Sequence, residues 1–315
     1  MIVKISIIVP TYKRPDYLVK CLRSLVHQIR KPDEVLVVMR DTDIKTHEDY
    51  REFAKSSVTG APELVSCFVK EPGHMPPLVE GLKHATGDIV AITDDDAEPY
   101  PDWLQRVEKH YEQASVGGVG GRIENIIDGK KVNYRPAKTV GKVTWYGRAI
   151  GNMYKDALFS EPVEVDFFMG GNTSFRRIVW DQITFDMNLN PHVAYNYEID
   201  IGLQAKSQGW RLIFDPFVIV KHYLSGPRDA AWEGIYFGCR NLTYIMLKHL
   251  RWYGKLVFLL HAFLIGHRQL WGLATIILDP ILTGKIRWRG QVLAALRGKM
   301  AGIRIYLQAS RGCDE

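Results

Sequence analysis

Residues 93–99 read Thr93-Asp94-Asp95-Asp96-Ala97-Glu98-Pro99 and follow directly on the apolar run Ile89-Val90-Ala91-Ile92. Three consecutive carboxylates repel one another and are costly to hold together unless positive charge sits among them. The run before them reads as a buried strand, and Pro99 ends regular structure just beyond. The carboxylates therefore emerge at the C-terminal end of a strand, where open α/β sheets place their ligands. A hard divalent cation carrying a diphosphate would satisfy both the charge and the geometry. A solvated acidic turn capping the next helix is the plainer alternative.

A second acidic cluster, Tyr197-Glu198-Ile199-Asp200, precedes a segment of helical character. Glu198 stands at a loop-to-helix junction, where a carboxylate either points into a cleft and takes a proton from a hydroxyl or simply interacts with the helix terminus. Asp200, near the first turn, fits free backbone N–H groups. His222 follows the apolar run 217–220 and is either a third metal ligand beside two carboxylates or a half-buried structural histidine. Asp41 and Asp43 follow the second strand-like run, at a place where a carboxylate can accept hydrogen bonds from a base or ribose. The glycine-rich stretch 117–121 lacks dinucleotide-fingerprint spacing and strand context. Walker, zinc-finger and nucleophile-elbow patterns are missing too, which lowers the case for dehydrogenase, P-loop hydrolase, zinc-finger and α/β-hydrolase chemistry.

The elements that must position these residues alternate along the first segment. Apolar runs at 5–9, 34–39, 64–69 and 89–93 read as strands. Between and after them, 17–28, 48–54, 76–85 and 103–113 read as helices, the first with Leu18, Leu22, Leu25 and Val26 on one broad face. That order argues for a mostly parallel sheet covered on both faces. After the glycines at 117–121 the pattern changes to short strand candidates and turns, with a helix expected only at 150–158. Residues 199–207 read as helical, and 211–214 and 218–221 as two strands.

The 315 residues, 46% apolar and 24% charged, are those of an ordinary folded protein with one extended domain or two. Cys21, Cys67, Cys239 and Cys313 have neither metal nor disulfide spacing, so reducing surroundings are the simpler expectation, and a secretory signal is not expected before the strand-like run at 3–9. The net charge of +6 hides an asymmetry. Residues 240–315 carry twelve Lys/Arg against three Asp/Glu, while the first 239 residues carry twenty-nine against thirty-two. A basic tail on a slightly acidic body points to an anionic surface. Within the tail, 256–265 and 270–278 are apolar blocks too short to cross a bilayer, which needs about 20 residues. They suit helices lying in a membrane interface, and equally a helical hairpin packed on the body or a dimer contact.

Taken together, the motifs resemble family-2-like inverting glycosyltransferases of the GT-A fold. The marks are Ser6-Ile7-Ile8-Val9-Pro10-Thr11-Tyr12-Lys13-Arg14, then Glu34-Val35-Leu36-Val37-Val38, then the run from Asp88 through Pro99. Gly170-Gly171-Asn172-Thr173-Ser174-Phe175-Arg176, Tyr197-Glu198-Ile199-Asp200 and Gly209-Trp210-Arg211-Leu212 follow, all in family order over residues 3–225. The resemblance implies an α/β GT-A fold with a mostly parallel central sheet flanked by helices. It implies a catalytic domain over 1–229, with 1–121 binding the nucleotide sugar and 122–229 on the acceptor side. Residues 230–315 would form a basic, aromatic, helical extension.

The implied reaction is metal-dependent transfer of a sugar, a hexosyl group above all, from a nucleotide-diphosphate donor to an acceptor hydroxyl. Pro10, Thr11, Tyr12 and Asp41 would hold the nucleoside, with Asp43 a rival to Asp41, and Arg14 and Asp95 would complete the donor set. Asp94 and Asp96 match the DxD pair, Asp96 being the direct ligand of Mn2+ or Mg2+, and the resemblance turns His222 towards a metal or phosphate role. Glu198 falls where relatives have the catalytic Asp, one methylene longer, and Gly171 and Asn172 form the floor under donor sugar and acceptor. Two departures, at Met39-Arg40-Asp41-Thr42-Asp43 and at Gly73-His74-Met75-Pro76-Pro77, leave the nucleotide and sugar open. The expected acceptor is a glycan, polyprenyl-linked or polysaccharide, met at the cytoplasmic face of the cell membrane through an anionic surface contact over 240–311. A homo-oligomer fits the same tail, and nucleic acid is not expected as a partner. An inactive nucleotide-sugar-binding scaffold and a basic-tail nucleic-acid binder are the alternatives.

Overall fold

A computed structural model describes residues 3–56, 60–151, 153, 159–189, 194–224, 232–267, 270–283 and 289–311. The chain divides into two compact units. The first holds Met1–Lys142, Gly151–Phe185 and Ile201–Gly226, and the second holds Val143–Ile150, Asp186–Asp200 and Pro227–Glu315. The division is therefore not one cut near residue 230, because two short segments from the middle of the chain go with the C-terminal helices.

The first unit opens with β1 (Ile5–Thr11), α1 (Pro15–Val26), β2 (Glu34–Arg40), α2 (Ile44–Lys55) and β3 (Glu63–Val69). It continues through α3 (Met75–His84), β4 (Ile89–Ile92), β5 (Ala97–Pro99) and α4 (Trp103–His110). Helix α1 starts two residues before the apolar periodicity does, because Pro15 suits the first helical position and Asp16 faces the positive end of the helix dipole. Strands β1, β2, β3 and β4 pair in parallel, in the spatial order β4-β1-β2-β3. Ile5, Ile7, Val9, Val35, Val37, Ile89 and Ala91 form one buried cluster with Leu18, Cys21, Leu22 and Leu25 of α1 and Trp103, Leu104 and Val107 of α4. Cys21, Cys67 and Cys239 are buried free thiols, and Cys313 lies outside the described residues.

The glycine stretch expected to end the regular pattern is instead the start of a long strand, β6 (Val116–Ile127). Large neighbours occupy the space that side chains would take. A Cβ on Gly117 would come within 2.6 Å of Trp210, on Gly118 within 2.7 Å of Phe175, and on Gly120 within 2.5 Å of Phe168. Short strands β7 (Lys130–Lys131), β8 (Lys142–Val143), β9 (Ala149–Ile150) and β10 (Val163–Val165) follow, then β11 (Thr173–Arg176), α5 (Arg177–Gln182) and α6 (Tyr197–Ser207). The helix expected over 150–158 falls largely outside the described residues.

The two strands expected at 211–214 and 218–221 are one, β12 (Arg211–Tyr223), bulged between Asp215 and Ile219. The Asp215 carboxylate holds that irregularity, accepting from the Phe217 amide at 2.8 Å and lying 2.7 Å from His110 Nε2 on α4. Strand β12 runs parallel to β6 and antiparallel to β10 and β5. Strand β11 lies antiparallel between β6 and β4, completing the order β10-β12-β6-β11-β4-β1-β2-β3.

In the second unit α7 (Trp232–His249) is followed by α8 (Trp252–Leu260), a π-helical turn over His261–Ile265, and a small hairpin of β13 (Gly266–His267) and β14 (Leu270–Trp271). Then come α9 (Leu273–Thr283) and α10 (Arg289–Arg311). Helices α7 and α10 meet backbone to backbone. A Cβ on Gly298 would stand 2.4 Å from the Tyr236 carbonyl, and one on Gly302 2.4 Å from that of Arg240. Buried Lys299 lies on the same face and donates to the Ala262 and Trp271 carbonyls at 2.9 and 2.8 Å, which satisfies the polar end inside an apolar setting. Among the described residues no helix is long and apolar enough to cross a membrane.

Candidate active site

Sheet register brings the acidic turn and His222 together. Strand β4 ends at Ile92, buried Thr93 follows, and the chain turns through Asp94–Asp96, with the Ala97 amide donating to the Asp94 carbonyl, before re-entering the sheet as β5. Strand β5 pairs antiparallel with the end of β12, so Ala97 faces His222, and the Tyr223 amide donates to the Asp96 carbonyl at 2.8 Å. His222 Nε2 thereby stands 3.0 Å from Asp96 Oδ1 and 3.9 Å from Asp94 Oδ2. Ligand atoms of Asp94, Asp96 and His222 all lie within 4.8 Å of one another.

Two carboxylate oxygens and one imidazole nitrogen suit a divalent ion between the hard and borderline classes, such as Mn2+. The parallel partner of His222 on β6 is Asn125, whose Oδ1 lies 3.0 Å from His222 Nδ1 while its Nδ2 donates to the Tyr134 hydroxyl at 2.9 Å. An amide oxygen only accepts, so this network assigns a proton to Nδ1 and turns Nε2 towards the carboxylates. A carbonyl-type acceptor behind a histidine is the usual way of orienting it for a metal. Sequence reasoning did not find Asn125; its one signal is a lone amide in a strand that is otherwise mostly apolar and glycine.

Asp95 lies on the inner side of the turn. It is buried, accepts from Thr11 Oγ1 at 2.7 Å, and lies 3.3 Å from Arg14 Nη1, which also reaches Asp96 Oδ2 at 2.7 Å. Loss of water pushes the Asp95 carboxyl up to about 6, against the pull of Thr11 and Arg14. Asp95 and Thr11 thus join the ends of β4 and β1, and Arg14 spans the acidic turn. These bonds brace the acidic turn against β1.

Gly171 comes up against Asp94. Its φ is +83°, its carbonyl accepts from Thr93 Oγ1 at 3.1 Å, and a Cβ there would lie 2.4 Å from Asp94 Oδ2. Asn172 points the other way, into the sheet. Its Oδ1 accepts from Trp103 Nε1 at 2.9 Å, and its Nδ2 donates to the Arg122 and Val218 carbonyls at 2.9 and 3.0 Å. The Asn172 side chain therefore ties Trp103, Arg122 and Val218 together inside the sheet, while Gly171 lies against Asp94.

The two carboxylates after β2 stand in different settings. Asp43 is buried and caps α2, accepting from the Thr46 amide and hydroxyl, and also from the Lys13 amide at 2.5 Å. That bond holds Lys13 at a φ of +56° in the turn after β1. Asp41 is exposed, and so is Tyr12, whose ring has Lys13 Nζ at 5.1 Å and the Arg40 guanidinium at 5.5 Å from its centroid. An aromatic face flanked by cations, with a carboxylate at the next strand end, can stack and hydrogen-bond a planar anionic ligand.

Glu198 and Asp200 lie in the first turn of α6, within the second unit. Glu198 is half-buried. Asp200, in the first turn of its helix, is buried against the end of α7, with its Oδ1 2.6 Å from His249 Nε2 and 3.0 Å from Lys248 Nζ. Lys248 also reaches Asp186 at 2.8 Å, and the Tyr244 hydroxyl donates to that same carboxylate at 2.7 Å. This set of ion pairs fixes the turn that carries Glu198.

Comparison with known proteins identifies the family. The family model described as "Glycosyl transferase family 2" matches residues 6–184. A Methanococcus voltae dolichyl N-acetyl-alpha-D-glucosaminyl phosphate 3-beta-D-2,3-diacetamido-2,3-dideoxy-beta-D-glucuronosyltransferase is 26% identical over 70% of this chain and 66% of its own. A Haloferax volcanii glucosyl-dolichyl phosphate glucuronosyltransferase is 25% identical over 70% of this chain and 69% of its own. Among solved structures, Pyrobaculum calidifontis mannosyltransferase PcManGT, in complex with GDP-Man and Mn2+, superposes with a TM-score of 0.59 at 18% identity, covering 98% of this chain and 88% of that one. That likeness shows the GT-A fold. With more than half of its length matched by the family model, the chain belongs to glycosyl transferase family 2 and is a glycosyltransferase.

Proposed function

We propose that this glycosyltransferase moves a hexosyl unit, with inversion, from a nucleotide-diphosphate sugar to a hydroxyl of a lipid-linked glycan. The observation that carries the reading is the convergence of Asp94, Asp96 and His222 at the strand ends, beside the exposed Tyr12 and Asp41. These three side chains would hold Mn2+ or Mg2+, and the ion when bound would neutralise the diphosphate. Tyr12 and Asp41 would take the base and ribose, while Gly171 offers a floor on which the sugar can approach backbone closely. Glu198 is assigned as the base. The acceptor oxygen forms the bond to the anomeric carbon, its proton passes to the Glu198 carboxylate, and the sugar–phosphate bond breaks with its electron pair leaving on the nucleoside diphosphate. Relatives named for dolichyl-phosphate substrates support the lipid-linked acceptor. On this reading the reaction takes place at the cytoplasmic face of the cell membrane.

Calorimetric titration of UDP-, GDP- and dTDP-sugars with and without Mn2+ tests the donor half. Tight binding of one donor only with the ion, lost in Asp96→Ala, is the expected result. Binding that ignores the ion, or survives Asp96→Ala unchanged, would overturn the metal assignment.

A further inference from the structure

The second unit carries an apolar surface that its own core does not use. Along α8 and the π-helical turn, Trp252, Leu256, Leu260 and Leu264 recur every four residues and are 72, 57, 61 and 55% exposed. On α9 the same spacing repeats in Leu273, Ile277 and Ile281, which are 55, 53 and 75% exposed. Trp145, 62% exposed, stands with its ring centroid 6.4 Å from that of Tyr253. It forms with Tyr146, Leu260, His261, Leu264 and Ile265 the wall of a groove of about 410 Å3. Leaving so many large side chains in water is unusual for a surface without a partner.

The charge of the second unit selects the partner. No acidic residue occurs between Glu233 and Asp279. On α10 the exposed Leu293, Leu296, Met300 and Leu307 share one arc with Arg297, Arg304 and Arg311, which recur every seven residues and are exposed. Two copies of so basic a surface would repel each other on contact, whereas an anionic lipid headgroup layer is complementary. Tryptophan and tyrosine beside leucine and isoleucine are the side chains that lodge at the boundary between headgroups and hydrocarbon. We infer that this surface, centred on α8 and α9 with arginines from α10, docks on an anionic lipid bilayer, lying in the interface without spanning it. The docking stands apart from sugar transfer, although it would bring the enzyme into the plane where a lipid-linked acceptor resides.

Sedimentation of the full chain with vesicles tests the docking without donor or acceptor. Phosphatidylglycerol–phosphatidylcholine vesicles should bind the protein at least about tenfold more tightly than pure phosphatidylcholine, and tryptophan emission should shift to the blue. The exposed double changes Leu256→Asp with Leu260→Asp, and Arg297→Glu with Arg304→Glu, should each weaken partition by about tenfold or more. Circular dichroism and calorimetric donor binding should stay at the wild-type level, which separates this inference from the transfer reading. Equal binding to both vesicle types would overturn it, as would full binding by either double variant. A wild-type dimer that Leu256→Asp with Leu260→Asp converts to a vesicle-inert monomer would assign the face to a second copy instead.

Discussion

Gly171→Ala is the sharpest single test of the site, because two effects of the change can be told apart. The first is local: a φ of +83° costs an L-residue about 1–2 kcal/mol, paid by the backbone alone. The second acts on Asp94. A methyl group 2.4 Å from Oδ2 is far inside van der Waals contact, so the carboxylate must rotate away from His222 or the loop must shift. Misorienting one ligand of three typically weakens metal binding by about 10–100-fold, or roughly 1.4–2.8 kcal/mol. Gly129 supplies the control, since it has a φ of +74° and nothing within 4 Å of its would-be Cβ. Gly129→Ala should lose the backbone increment in urea unfolding and keep wild-type Mn2+ affinity by calorimetry. Gly171→Ala should lose a similar increment without metal and the further 10–100-fold in affinity with it. Equal Mn2+ affinity in wild type and both variants would refute the idea that Asp94, held against Gly171, is a ligand.

Three other expectations follow from the same geometry. Asn125→Leu should leave the sheet intact and reduce Mn2+ affinity by about 10–100-fold, measured by calorimetry, because His222 loses the acceptor that orients it. Glu198→Gln should preserve donor binding yet slow transfer by about 100–10,000-fold in a radiolabelled-sugar assay, and normal transfer would dismiss the base assignment. The Asp186 carboxyl, which burial pushes up, is pulled by Lys248 and Tyr244 to below its ordinary 3.8. Its stabilising share is complete above pH 3.8 and is lost as pH falls through the lower folded value, so the fall in urea midpoint between pH 5 and 3 should be shallower in Asp186→Asn.

The strands that carry the acidic turn were legible because a buried parallel strand leaves a plain apolar run, and the carboxylates after β4 break that run abruptly. His222 was legible as a candidate, but its nearness to Asp96 depends on the β5–β12 pairing, a long-range register that periodicity does not encode. The glycines of β6 misled for a physical reason. Low strand propensity is a local property, while the packing of Trp210, Phe175 and Phe168 over them is a property of the whole sheet. Asp41 and Asp43 were indistinguishable as residue types, and only the α2 cap and the Lys13 turn distinguish buried Asp43 from exposed Asp41. Asp200 taught the same lesson, since its partners Lys248 and His249 lie far along the chain.

The three candidate ligand side chains lie far apart along the chain, two in the turn after β4 and one in the last residues of β12. An ion held there acts as a reversible staple, closing a loop that contains β5, β6, β11 and their intervening segments. Any ligand that binds only the folded form shifts the unfolding equilibrium by mass action, and one that joins distant segments does so without touching the hydrophobic core. Thermal stability then becomes a reporter of donor recognition. A further rise in melting temperature when one nucleotide sugar is added to the ion-loaded protein, beyond the rise the ion gives alone, would name the donor before any acceptor is in hand.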